Sequence, residues 1–182
     1  MEKKTLKFEI VAIFVLLCLT FLNSCSEEKY EGNKKESSGQ VPGEYIKDFC
    51  LTETEKEKKN WILNAESAYI ITEKEDGIIK VNNFNVDFFE RNENITTLNA
   101  RKGTYYTESK RLKTDGEVKI KSSSKVIITS NVAWDPKKKI FTTDEKVTVK
   151  TPDGSVKGIG MEADVNLQRI KIKKHISGEI KQ

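Results

Sequence analysis

The sequence predicts an all-β domain, in which repeated hairpins form one open antiparallel sheet folded over a single apolar surface, behind an N-terminal signal or anchor segment. Three observations predict it. The first is a recurring pattern: an apolar or Gly position, any residue, a small residue, any two residues, and a second small residue. It occurs as Leu63/Ala65/Ala68, Leu98/Ala100/Gly103, Ile128/Ser130/Ala133 and Gly158/Gly160/Ala163, and a period of this size marks repeated supersecondary units. The second is period-two alternation between turn residues, with no helical period lasting a dozen residues past the N-terminal segment. The third is composition: 36% hydrophobic against 33% charged residues in 182 is too lean for a thick core and suits a sheet with one solvated face.

Residues 1–24 read as a secretory signal. Lys3, Lys4 and Lys7 precede an apolar run from Ile10 to Leu22, shorter than the roughly 20 residues that span a bilayer as a helix. The run ends in Leu22-Asn23-Ser24-Cys25, which resembles the lipobox of bacterial lipoproteins, so Cys25 is the expected lipidation site. The alternative is an uncleaved membrane anchor. Residues 25–44 are Ser, Glu, Lys, Gly, Asn and Gln with almost nothing apolar, a composition that cannot offset the entropy of ordering. They form a flexible tether to a folded domain over residues 45–182.

Within that domain Ile46 to Thr52 forms a first strand, Thr54 to Lys59 a charged hairpin tip, and Trp61-Ile62-Leu63-Asn64-Ala65 begins a strand that runs to Thr72. Glu75-Asp76-Gly77 is a turn, since Asp-Gly between apolar runs is a strong hairpin signal. Phe84, Val86 and Phe88 alternate with polar residues, and Phe89, out of step, marks a bulge. Arg91 to Asn94 turns the chain into the second copy of the pattern. Leu112, Val118 and Ile120 recur as Phe141, Val147 and Val149, and the first two again as Ile170 and Ile176. Val126, Ile128, Val132 and Trp134 are placed on one face of a strand, with Thr129 and Asn131 on the other. Further turns fall at Glu108 to Lys110, Thr114-Asp115-Gly116, Asp135-Pro136-Lys137 and Pro152-Asp153-Gly154. Small residues at two fixed places turn corners at one level in each hairpin, or face a strand that leaves no room for more.

Several function classes are excluded. The net charge of +4 comes from interspersed Lys and Glu, without the basic stripe and interleaved aromatics of a nucleic-acid binder. His175 is the single histidine, and no cysteine cluster has metal-ligand spacing. Gly154, Gly158 and Gly160 belong to a hairpin rather than to a phosphate loop. No catalytic constellation emerges, so neither an enzyme nor a metal or cofactor is expected. Of the three cysteines, Cys18 lies in the signal and Cys25 at its end, leaving Cys50 as a lone packed thiol.

In the order and spacing of Ile46 to Thr54, Trp61 to Glu66, Leu98 to Gly103 and Gly158 to Asp164, continuing to Arg169-Ile170, the sequence resembles the LptC family of periplasmic lipopolysaccharide-export proteins, within the LptA-like β-jellyroll group. The resemblance implies a β-jellyroll open along one side, whose apolar groove holds the acyl chains of lipopolysaccharide. It implies an inner-membrane ABC transporter of the LptBFG type at one end and an LptA-type bridge protein, joined end to end by strand pairing, at the other. It places the protein at the periplasmic face of the inner membrane, where family members usually keep an uncleaved N-terminal helix; anchoring through Cys25 instead, as the lipobox suggests, would be a departure from the family. The expected groove lining is Leu63, Phe84, Val86, Phe88, Leu98, Val118, Ile120, Ile128, Trp134, Phe141, Val147, Val149, Ile170 and Ile172, around an interior too sparsely stocked to fill itself. Gly158, where other copies carry a larger residue, is expected to widen the groove or loosen the edge. The competing reading is a structural or adhesive β-solenoid lipoprotein of the cell envelope, and a third is the soluble bridge protein, disfavoured by the tether.

Overall fold

The computed structural model describes residues 43–72 and 77–180; the expected signal segment, Cys25 and the expected tether up to residue 42 lie outside the described residues, as does most of the expected Glu75-Asp76-Gly77 turn. Ten strands follow in order: β1 (Gly43–Glu55), β2 (Lys58–Thr72), β3 (Gly77–Glu90), β4 (Glu93–Tyr106), β5 (Arg111–Lys121), β6 (Val126–Thr129), β7 (Ala133–Asp135), β8 (Ile140–Thr151), β9 (Gly154–Asp164) and β10 (Ile170–Ile180). They form one sheet in chain order, with β6 and β7 sharing a single lane between β5 and β8. Every pairing is antiparallel, which argues against the β-solenoid alternative, whose stacked coils require parallel neighbours. The first strand is longer than expected, and Thr54 to Lys59 is strand on both sides of a two-residue turn. Lys56-Glu57 and Arg91-Asn92 both have positive φ, as a type I′ hairpin turn requires.

Most strands are too long to lie in one layer, and they break at the same level. Pairing lapses at Asp48 opposite Glu66, Glu66 opposite Asn83, Asn83 opposite Arg101, and Arg101 opposite Gly116-Glu117. The line continues through Ser130-Asn131 between β6 and β7, Asp144-Glu145 opposite Gly160, and ends at Lys173. Along it Asp48, Asn83, Gly116 and Gly160 take positive φ, a region open to Gly and tolerated by Asn and Asp. The sheet is creased across its strands, and the two halves face each other.

Ring contacts record the closure. Trp61 stacks edge-on against Tyr105 at 5.5 Å, and Phe88 meets Trp134 at 4.8 Å and Phe141 at 5.2 Å. In the ladder Trp61 is opposite Phe88, whereas Leu112 links Tyr105 to Trp134 and Trp134 is opposite Phe141. One layer therefore holds Trp61 and Phe88, the other Tyr105, Trp134 and Phe141, and each long strand contributes to both.

The repeated small residues cluster at the crease, and those of the first, second and fourth copies are buried or half-buried there, whereas Ser130 of the third is exposed. Ala65 and Ala68 bracket Glu66, and both alanines are buried. A Cβ on Gly103 would lie 2.7 Å from Phe84 Cζ, so the neighbouring ring already occupies that space. The Thr114-Asp115-Gly116 turn expected from the sequence is instead a bulge inside the continuous β5, with Gly116 at φ 86. Phe89 does sit at a bulge, at the register shift after Phe88.

Candidate functional site

Eleven of the fourteen expected lining residues face the interior and are buried: Leu63, Phe84, Val86, Phe88, Leu98, Val118, Ile120, Trp134, Phe141, Val147 and Val149. Ile170 and Ile172 are partly buried and pack against this core. Ile128 is the exception. Ile127 and Thr129 point inward, which places half-buried Ile128 on the outer face beside Lys119 and Thr148. Side-chain parity changes between Thr129 and Val132 because the crease crosses there, so a face assigned by continuous alternation through residues 126–134 is wrong on its first half.

The interior is filled, contrary to the expectation of a sparsely stocked groove. The void among Trp61, Leu63, Val86, Phe88, Tyr105, Leu112 and Trp134 is about 10 Å³. Gly158 does not widen it: a Cβ there would meet Ile172 Cγ2 at 2.3 Å, so Ile172 closes over the glycine. The edge beside it is irregular as expected, with a register shift between Lys174 and Ser177 and His175 at φ 51.

Space opens instead where the tips of the two layers converge, opposite the crease. A cavity of about 510 Å³ is bounded on one layer by Glu53–Glu55, Asn60, Trp61, Phe88–Glu90 and Ile95. The other layer contributes Glu108–Lys110, Trp134, Pro136, Lys137, Lys139, Val165 and Asn166. Its volume falls in the range of small-molecule sites. Trp61, Phe88 and Trp134 line both this mouth and the small void behind it, so three rings separate the mouth from the apolar core. The rim carries both signs of charge.

Two lysines tie the tips of the two layers, Lys110 at the mouth and Lys125 beside it. Lys110 on the β4–β5 turn pairs with Glu53 near the end of β1, and Lys125 Nζ donates to the Leu167 carbonyl at 2.7 Å. The tips of the layer that holds Trp134 and Phe141 are also fixed locally. Asp135 accepts from the Lys137 and Lys138 N–H groups at 3.0 and 3.2 Å. The Lys138 N–H first, then that of Lys137 and the Arg111 charge, hold its carboxyl below the usual range. Val165 N donates to the Lys139 carbonyl at 3.1 Å, joining two turns of the rim. Burial, with the charge of Glu53 second, pushes the Tyr105 hydroxyl up to about 12.

Sequence reasoning missed Trp61, Phe89, Ile95, Tyr105, Leu112 and Val165 as wall residues. Trp61 and Tyr105 carried an available signal, being large amphipathic rings on strands, but their meeting depends on the fold across the crease. Ile95 and Val165 lie beside turns, where alternation carries no information.

A family model described as lipopolysaccharide-assembly, LptC-related, matches residues 10–181 of this chain. No curated protein matches it.

Proposed function

Because this chain belongs to the LptC-related family of lipopolysaccharide-assembly proteins, we propose that it is a membrane-tethered carrier that receives lipopolysaccharide from an inner-membrane ABC transporter and passes it to a periplasmic bridge protein. Membership makes it a component of lipopolysaccharide transport; the direction and partners of the hand-off are the proposal. One observation carries it: a sheet creased across its strands encloses an apolar surface, plugged toward the 510 Å³ mouth by the ring set Trp61, Phe88 and Trp134.

Acyl chains entering past those rings would contact the inner surface that includes Leu63, Val86 and Phe141, and each methylene taken from water is worth about 0.8 kcal/mol. Because the interior is packed, admission requires the two layers to part. Work done by the transporter would supply that opening, and the protein itself would perform no chemistry. The sugar head would remain in water at the charged rim. Among the described residues, the outer sides of β1 and β10 have no strand beside them in the sheet. Each can be extended by a partner's strand, one toward the transporter and one toward the bridge protein. Residues 1–24 would serve as signal or retained anchor, with lipidated Cys25 or that anchor holding the domain at the inner membrane and residues 25–42 as the tether, Gly43 and Glu44 being already part of β1.

Photocrosslinking in cells tests the reading. Photoreactive residues replacing Phe88 or Phe141 in the full chain are expected to give lipopolysaccharide adducts, whereas one replacing Arg101, exposed on the outer side of the crease, is expected to give none. No adduct at either inner position, or equal labelling at Arg101, would sink it.

A further inference from the structure

Trp134 is 6% exposed, and its Nε1 is buried without a hydrogen-bond partner. Buried indole N–H groups ordinarily find an acceptor, and an unmade hydrogen bond inside a protein costs the desolvation of the donor. The only other such atom among the described residues is Thr129 Oγ1, which does not line the mouth. Trp134 does line it, and it lines the void behind as well. Its ring packs on Phe88 of the opposite layer and, at 5.0 Å, on Phe141, its cross-strand neighbour in its own layer, so the second contact persists when the layers part. A Phe would fill much the same apolar role without the unsatisfied donor.

We infer that the Trp134 indole N–H receives the polar linkage of an acylated ligand, the ester or amide carbonyl at which an acyl chain joins its headgroup. The inference rests on the lipid-carrying reading and adds a depth marker to it. Nε1 is sealed from solvent in the closed domain, so it becomes reachable only when the layers part; chains then pass the ring plug into the apolar interior, and the linkage stops at Trp134, whose unpaired donor a pure hydrocarbon could not use. Specificity follows: an acylated amphiphile is preferred over a carbonyl-free chain of equal length, because only the former relieves the unsatisfied N–H.

The test uses the full chain, labelled with ¹⁵N at the indole nitrogens, in dodecyl maltoside, a detergent that carries a chain but no carbonyl. Comparison with Trp61→Phe assigns the two indole signals. Adding lipopolysaccharide is expected to move the Trp134 Nε1–H resonance downfield, and Trp134→Phe is expected to weaken lipopolysaccharide binding about three- to tenfold. If lipopolysaccharide binds but the Trp134 resonance stays where it is, this inference fails while the lipid-carrying reading stands, whether or not Trp134→Phe folds. If lipopolysaccharide does not bind the unsubstituted chain at all, the lipid-carrying reading fails and takes this inference with it.

Discussion

At the scale of the residue, the repeated small position at Gly103 is a demand of packing next to a corner, whereas Ser130, exposed at the matching place, is not. Gly103 lies outside the left-handed region, so an alanine there would not strain the backbone, yet its Cβ would lie 2.7 and 2.8 Å from the Phe84 ring and 3.2 Å from Val81 Cγ2. Both neighbours are buried in the core and cannot swing into solvent. Gly103→Ala is therefore expected to destabilise the domain by about 1–3 kcal/mol, the usual cost of overpacking, measured by urea unfolding. A loss below about 0.5 kcal/mol would show that Phe84 relaxes freely and that the small position has some other purpose. The same contacts explain why individual facings were only partly legible. Phe84, Val86 and Phe88 follow simple alternation on a segment lying wholly on one side of the crease and were readable from it. Ile128 precedes a break in parity that its own neighbours do not announce.

At the scale of the element, each lane of the sheet is two short strands joined through a corner, and the corner takes whichever local form its residues permit. Asn83 reaches it with φ 44 and donates from Nδ2 to Glu66 Oε2 at 2.6 Å. The β6–β7 lane breaks altogether, and Thr114 closes the gap by donating from its backbone N to the Val132 carbonyl at 2.9 Å and accepting at Oγ1 from Val132 N at 2.7 Å. On β5 the corner rests on Gly116 at φ 86, where an added methyl group would meet nothing within 4 Å. Because space is open there, substitution isolates the backbone term. Gly116→Ala is expected to cost about 1–2 kcal/mol, and Gly116→Asn distinctly less, since Asn tolerates the left-handed region. Equal thermal unfolding of the two variants would refute that. The Asp-Gly pair looked like a hairpin turn because the same left-handed glycine serves a turn and a bulge alike; only the long-range register between β4 and β5 distinguishes them.

At the scale of the whole molecule, the all-β class, the hairpin order and the apolar face were legible because each depends on local alternation and turn chemistry. The mouth was not, since it brings together residues near opposite ends of long strands, as Glu53 on β1 meets Lys110 beyond β4. That geometry makes a mechanical claim about the proposed carrier: if acyl chains enter between the layers, the tips must separate while the crease holds. The Glu53–Lys110 pair is largely solvent-exposed on the lysine side, at 52%, and such pairs contribute about 0–1 kcal/mol, too little to resist opening. A covalent tie at the same place would resist it. With Cys50, which is exposed rather than packed as expected, replaced by serine, a Glu53→Cys, Lys110→Cys chain closed by a short bifunctional thiol reagent is expected to lose lipopolysaccharide uptake almost completely, while either single cysteine treated alike keeps it. Cleaving a reducible version of the linker is expected to restore uptake, which separates blocked opening from damaged folding. Uptake at the unlinked rate by the closed double variant would mean that lipid reaches the interior by another route, along the β1 or β10 edge, and that the tips stay shut during transfer.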